Sequence, residues 1–338
     1  MKIICVADAY VTPSMMEEGV RPYLGAGDTM QTFFFAYPDK ERMRDVVKTI
    51  EAHQIDDLPF PDGLLEAVAD ADLMIVHLCP INKKLLAAAK NLKAVMSCRG
   101  GIENIYLPGV KERGIVVASN PAHNANGVAE FTVGLILTET RNIARADEAL
   151  KHGEWRKVWP NSATNIKELC DMTVGIVGFG AIGRLVAKKL SGFGCRIIVA
   201  DPYAKQEDGE YYHFVTMDEL LAQADIITLH ARANGALIGE AEFAKMKDHA
   251  YLINSARSYL VDSVAFQKAM DSGKLLGAAF DVFETEPEIP DFYRKYDNIT
   301  ITNHRGGDTI DSYDKAPGFA IQNYLNFLAG GDLKFRVN

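Results

Sequence analysis

The chain of 338 residues holds only five cysteines, Cys5, Cys79, Cys98, Cys170 and Cys195, and no two of them form a C-x-x-C pair. An odd, scattered set excludes a disulfide framework and implies a reducing compartment, where thiols serve as small buried apolar side chains. The eight histidines include no H-E-x-x-H and no cluster with cysteine, so no metal site is expected. No basic run offsets the excess of 45 acidic over 36 basic residues, and the net charge of −9 repels nucleic acid and anionic membrane. Apolar stretches fall far short of the ~20 residues a membrane span needs. The first of them is interrupted by Asp8, too early for a signal segment. A soluble cytoplasmic chain is expected, with neither nucleic acid nor membrane as partner. Repeats at solenoid spacing and low-complexity linkers are also missing.

What is present is a series of short, continuous apolar runs. IICVA (3–7), LMIVHL (73–78), AVMSC (94–98) and IVVAS (115–119) form one series. VGIVGF (174–179), RIIVA (196–200), IITLH (226–230), YLIN (251–254) and GAAFDV (277–282) form a second. Runs without apolar/polar alternation suggest strands covered on both faces, hence parallel sheets in an α/β fold. Amphipathic helices fit between them. One opens at Thr216 with Glu219 three residues on, the capping-box pattern. The two series and the chain length imply two α/β units. The break falls near SNPAHNANGVAE, where Asn120-Pro121 stops a strand and one long helical pattern begins, about 127–151.

VGIVGFGAIGRLVAKKL places Gly178, Gly180 and Gly183 in G-x-G-x-x-G spacing, with Ala181 and Ile182 between the last two. The motif alone is weak. Here it follows an apolar strand, opens a helix and is succeeded by a second strand, as a dinucleotide fingerprint requires. The first glycine permits a tight turn, the second lets backbone N–H groups approach a pyrophosphate, and the third lets helix and strand pack closely. The helix N-terminus adds unpaired donors and partial positive charge. RIIVADPY then ends in Asp201, 18 residues beyond Gly183. A carboxylate there accepts the ribose hydroxyls of NAD and repels the 2′-phosphate of NADP. The plain alternative is a solvated aspartate at a strand end.

Three further stretches, LINSARSYLVD, AAFDVFETEP and TNHRGGDT, each sit just past an apolar strand of the second unit and supply Arg257, Glu286 and His304. Ligands of open α/β sheets bind outside the carboxyl ends of the strands, so all three can face one crevice with the cofactor. A guanidinium can hold a carboxylate in bidentate fashion and stabilise charge developing on an adjacent carbonyl. Histidine is the natural proton donor, and a nearby carboxylate favours imidazolium and fixes the ring. NADH supplies a hydride from C4. These are the parts needed to interconvert a 2-hydroxy acid and a 2-oxo acid.

Over most of its length the chain resembles the D-isomer-specific 2-hydroxyacid dehydrogenases, which include D-lactate, glycerate and 3-phosphoglycerate dehydrogenases. The resemblance rests on CRGGIEN (98–104), NGVAEFTVGLIL (126–137), the glycine fingerprint, LINSAR, AAFDVFETEP and the His-x-Gly-Gly loop. It implies that Arg257 binds the substrate carboxylate and polarises the carbonyl, that Glu286 orients the imidazole, and that His304 is the acid/base. It implies also that Asp281 contacts the nicotinamide carboxamide, that His230, Ala231 and Ala256 lie along the cofactor, and that the loop Arg99-Gly100-Gly101 offers N–H groups to the substrate carboxylate. The implied architecture is two doubly wound parallel-sheet domains: a Rossmann NAD-binding domain, 120–304, inserted in a flavodoxin-like substrate-binding domain, 1–119 and 305–338, to which the helix 320–330 returns. A homodimer using the long helix after Val128 is implied as well. No appended regulatory domain is expected.

Several positions depart from the family pattern. Ser258 and Tyr259 follow Arg257 where glycine is usual, Asn303 replaces a proline before His304, and Tyr106 replaces an aspartate after the glycine loop. None removes a catalytic group, but together they count against a standard lactate-type substrate. Arg305, where a small residue is usual, either meets a second anionic group or pairs with Asp308. Trp155 reads as a packing residue, and Trp159 as packing or a wall of the substrate pocket. Formate oxidation is disfavoured by Glu286, where such enzymes carry glutamine. The competing reading from another class is an NAD-sensing corepressor-like scaffold, which can keep all three groups without turnover.

Overall fold

A computed structural model describes residues 1–159 and 166–338. The chain divides into two compact units, Met1–Asn124 with Thr309–Asn338, and Ala125–Asp308.

Unit 1 is built on five strands, β1 (Lys2–Ala7), β2 (Thr29–Phe34), β3 (Leu73–Val76), β4 (Ala94–Ser97) and β5 (Val116–Ala118). All pair in parallel, in the order β2-β1-β3-β4-β5. This is the flavodoxin-like order. Alternate residues of the central strands feed opposite faces. Ile4, Val6, Met74, Val76 and Val95 enter one core, while Ile3, Cys5, Leu73, Ile75 and Met96 enter the other. Both faces being buried explains why these strands read as unbroken apolar runs. Each such side chain contributes about 1.5–3 kcal/mol. The second face is covered by the helix Ile310–Leu328, through Ala316, Ala320, Ile321 and Tyr324. That helix starts ten residues before the expected 320, capped by Thr309, whose hydroxyl accepts from Ser312 N at 3.3 Å. It runs so close to the helix Pro13–Val20 that a Cβ on Gly19 would lie 2.9 Å from Gly318 N.

Unit 2 carries β6 (Thr173–Val177), β7 (Arg196–Ala200), β8 (His213–Phe214), β9 (Ile226–Leu229), β10 (Ala250–Asn254), β11 (Leu275–Phe280) and β12 (Ile299–Ile301). The parallel order β12-β11-β10-β9-β6-β7-β8 is the Rossmann order with one strand added at the far edge. The capping box at Thr216 is formed, with Glu219 N donating to the hydroxyl at 3.2 Å and Thr216 N to the carboxylate at 2.8 Å.

Several expectations need correction. The helical pattern 127–151 is two helices, Ala125–Arg141 and Ile143–Lys151, because Asn142 adopts a left-handed conformation, φ 55°. The break turns Arg145 back onto buried Glu139 of the first helix, with Asn142 Oδ1 accepting from Arg145 Nη1 at 2.8 Å. Glu139 in turn accepts from Thr300 Oγ1 of β12 at 2.6 Å, which fixes the strand that leads to His304. Strands β2, β8 and β12 have no counterpart among the nine apolar runs: β2 is an edge strand of alternating exposure, β8 has two residues and β12 three. Trp155 does not pack, being 79% exposed. Cys170 is exposed while the other four cysteines are buried. Among the described residues, no helix is long and apolar enough to cross a membrane, and no group of three metal-ligating side chains occurs.

Candidate active site

The carboxyl edge of the seven-stranded sheet collects the unit 2 residues that the sequence analysis assigns to the cofactor and to catalysis. After β6, Gly178 has φ 92°, a region that favours glycine, and a Cβ there would lie 2.6 Å from Ala231 N and 2.7 Å from the His230 carbonyl carbon. A Cβ on Gly183 would come within 2.2 Å of Gly178 O, so the helix Ala181–Leu190 seats directly on the turn. At Gly180 nothing lies within 4 Å, and no side chain caps the helix. The first N–H groups of a helix, here from Ala181 and Ile182 onward, have no partner within it. Asp201, one residue past β7, holds the turn: Oδ2 accepts from Phe179 N at 2.7 Å, and Oδ1 from Tyr203 N at 2.8 Å and Ala204 N at 3.2 Å.

After β9, His230 Nε2 meets Thr228 Oγ1 at 3.0 Å, while its Nδ1 is buried with no hydrogen-bond partner. Burial pushes this imidazole down to about 3, so it stays neutral. After β10, buried Asn254 staples the next loop with both ends of its amide. Its Oδ1 accepts from Ala256 N at 3.1 Å and its Nδ2 donates to Arg257 O at 2.9 Å. The exposed Arg257 guanidinium leaves from this staple, its Nη1 donating to Ala256 O at 2.7 Å.

The stretch after β11 supplies two carboxylates with different tasks. Glu286 Oε1 accepts from Phe283 N at 2.9 Å, and Oε2 lies 2.8 Å from His304 Nδ1. Asp281 is buried and grips the loop after β12, accepting from Thr302 Oγ1 at 2.6 Å, Arg305 N at 2.9 Å and Gly306 N at 2.8 Å. Between those anchors His304 has φ 54°, a conformation that a non-glycine residue keeps only when its surroundings impose it. Its side chain is about half exposed. Arg305 pairs with Asp308, Nη2 to Oδ2 at 3.0 Å.

Arg99, Gly100 and Gly101 belong to unit 1, in the loop after β4. A Cβ on Gly100 would lie 2.9 Å from Pro121 Cα, and Asn120 N donates to Arg99 O at 2.8 Å, so this loop is tightly held. Arg99 Nη2 faces Glu103 Oε2 at 3.5 Å, and its Nη1 is buried without a hydrogen-bond partner.

A turn that only glycine fits, an uncapped helix start and a carboxylate at the end of the next strand suit a dinucleotide. A family model described as the D-isomer specific 2-hydroxyacid dehydrogenase NAD binding domain matches residues 133–306. The chain belongs to the D-isomer-specific 2-hydroxyacid dehydrogenases. Glyoxylate reductase of Thermofilum pendens is 37% identical over 281 residues, 80% of this chain and 83% of the relative. Hydroxypyruvate reductase of Thermotoga maritima is 36% identical over 258 residues, 74% and 83% of the two chains. Among solved structures, a D-isomer specific 2-hydroxyacid dehydrogenase of Lactobacillus delbrueckii ssp. bulgaricus, in its NAD complexed form, superposes with a TM-score of 0.77. It is 23% identical and each chain is covered completely, a likeness of fold. This member of the dehydrogenase family is an oxidoreductase of CH–OH groups with NAD as cofactor.

Two side chains escaped the sequence analysis as supports of the dehydrogenase site. Asn254 was visible within LINSAR, where a polar residue ending an otherwise apolar strand is a signal in itself. The grip of Asp281 on the loop that carries His304 had no local signal, since it joins residues more than twenty positions apart.

Proposed function

We propose that the enzyme reduces a small polar 2-oxo acid to the D-2-hydroxy acid, and catalyses the reverse oxidation, with His304 as acid/base. The observation that carries this is the 2.8 Å contact between His304 Nδ1 and Glu286 Oε2, on the same sheet edge as Arg257 and the glycine turn. With Nδ1–H donated to Glu286, the tautomer is set and Nε2 is left to exchange the proton. Bound NADH supplies the hydride from C4 of its nicotinamide. His304 Nε2–H then protonates the carbonyl oxygen as it becomes an alkoxide, and in oxidation the neutral ring takes that proton back. Arg257 grips the carboxylate through its guanidinium fork and stabilises the developing charge.

Unit 1 takes the substrate-binding role in this reading, with N–H groups of the loop Arg99-Gly100-Gly101 directed at the carboxylate. The unpartnered Arg99 Nη1 supports an anionic ligand there. The similarity to glyoxylate and hydroxypyruvate reductases supports a small substrate. A two-fold homodimer fits the bare apolar side chains Ile143, Leu150, Trp155 and Val158, each more than half exposed within sixteen residues. The test is NADH oxidation against 2-oxo acids of graded size and charge, each repeated with His304→Ala. A hit lost in the variant is expected, and turnover that survives it would overturn the assignment.

A further inference from the structure

The order β2-β1-β3-β4-β5 reverses direction between β1 and β3, and ligands of open α/β sheets bind outside the carboxyl ends at such a point. In unit 1 those two ends carry Asp8 and His77. The Asp8 carboxylate is fully buried and accepts four bonds: Tyr10 N at 2.8 Å, Val11 N at 3.1 Å, Leu78 N at 3.1 Å and His77 Nδ1 at 2.8 Å. Burial opposes its charge, but the His77 imidazole and the backbone donors outweigh burial and hold it below the usual carboxylate range. His77 is only 6% exposed. Its ring is walled by Tyr10 at 6.1 Å and Tyr313 at 5.9 Å, centroid to centroid. With Nδ1 committed to Asp8, Nε2 has no hydrogen-bond partner among the described residues. An imidazole nitrogen held in place by Asp8 and left open in this way can take a ligand.

The neighbouring strand end is the loop Arg99-Gly100-Gly101. Val76 of β3 pairs with Ser97 of β4, and Cys98 N donates to Val76 O at 2.8 Å, so His77 and the carboxylate loop stand side by side. We propose that His77, held by Asp8, is the specificity-determining residue and hydrogen-bonds a hydroxyl on the carbon next to the 2-oxo group. The preferred substrate class is then an unphosphorylated 3-hydroxy-2-oxo acid, giving a 2,3-dihydroxy acid. This rests on the reading that the enzyme reduces 2-oxo acids.

A hydroxyl suits the geometry because it serves either protonation state of the ring. It donates to the Nε2 lone pair when His77 is neutral, and accepts from Nε2–H when it is charged. A methyl group in its place leaves Nε2 unpaired, the penalty by which hydrogen-bonding sites reject deoxy analogues. A phosphate is disfavoured. The Asp8 charge sits directly behind the imidazole, and the Glu103 carboxylate, 3.5 Å from Arg99 Nη2, adds a second negative charge beside the loop. Burial lowers the pKa of His123, the next imidazole on this edge, whose Nδ1 is engaged by Asn120 O at 2.9 Å.

The experiment compares kcat/KM for hydroxypyruvate, pyruvate and 3-phosphohydroxypyruvate, with NADH, in the wild type, His77→Leu and His77→Gln. NADH titration serves as the folding check. The wild type is expected to prefer hydroxypyruvate over pyruvate by roughly tenfold or more. That ratio should collapse toward one in His77→Leu and survive in part in His77→Gln. A ratio unchanged in His77→Leu, or a wild type that prefers pyruvate or the phosphorylated acid, overturns the proposal. Should none of the three be reduced, the 2-oxo acid reading falls with it. A variant that fails the folding check is replaced by thermal shifts of the wild type with NAD and either D-glycerate or D-lactate. Greater stabilisation by glycerate is expected, and equal shifts would overturn the assignment.

Discussion

The two units solve one construction problem in opposite ways. In each, the first strand of a parallel sheet runs into a turn and a helix at the carboxyl edge. In unit 1 that turn closes on itself. Asp8 takes up the N–H groups of Tyr10 and Val11, and the helix Pro13–Val20 starts with a proline and is capped by Thr12, whose hydroxyl accepts from Met15 N at 3.4 Å. In unit 2 the turn is Gly178-Phe179-Gly180, the helix Ala181–Leu190 has no side-chain cap, and the space beside Gly180 is open. Topology thus offers a binding edge in both units, and local capping decides which helix end is left for a pyrophosphate.

The largest effect is expected where that comparison is put at risk chemically. His304→Ala should lower kcat by about 10²–10⁴-fold while NADH affinity, followed by fluorescence titration, stays within about twofold. Less than tenfold loss would move proton transfer away from this edge of unit 2. Gly180→Asp would give unit 2 the cap that unit 1 already has. With room for the side chain and φ of −75°, the melting temperature should hold or rise slightly. NADH should weaken at least ~100-fold by charge repulsion of the pyrophosphate. Unchanged binding would break the comparison outright.

Asp281→Asn separates two roles for one residue. If Asp281 acts by gripping the His304 loop, kcat should fall roughly tenfold, the scale of a weakened charged hydrogen bond, and the pH profile should change with little effect on NADH affinity. A loss confined to NADH affinity would favour contact with the nicotinamide carboxamide instead.

The buried imidazole of His230 predicts a pH dependence of stability. Its folded pKa of about 3 lies below the 6.5 of a free imidazole, so the unfolded chain binds the extra proton first as pH falls. Stability is therefore full above pH 6.5 and declines toward pH 3, by about 2 kcal/mol at pH 5. Chemical denaturation of the wild type and of His230→Gln should show this slope flattened in the variant; parallel slopes would discard it. The smallest effect is expected from Thr12→Ala, which removes the cap in unit 1. It should cost about 1 kcal/mol and leave NADH binding untouched, measured by denaturation and titration on the same samples.

Much of this enzyme was legible in one dimension. Continuous apolar runs mark strands buried on both faces, so the parallel α/β class and the central strands follow from hydrophobicity alone. The glycine spacing after β6 and Asp201 after β7 are local too, since a turn, a helix start and the next strand end lie within a short stretch of chain. Tertiary structure decided what depends on long-range pairing. Edge strand β2, exposed at Thr29 and Gln31, lies at the margin of both cores and gives them only the partly buried Met30, Phe33 and Phe34. Asn142 breaks a helix whose sequence reads through because Arg145 has to return to Glu139. His304 sits in a left-handed conformation because Asp281, twenty-three residues earlier, grips the backbone beside it. Asp8 looked like an interruption in an apolar strand. Only the pairing of β1 with β3 brings His77 to it and leaves one imidazole nitrogen open. Local periodicity records which face of a strand is buried, whereas the partner of a buried charge is set by the fold that brings distant strand ends together.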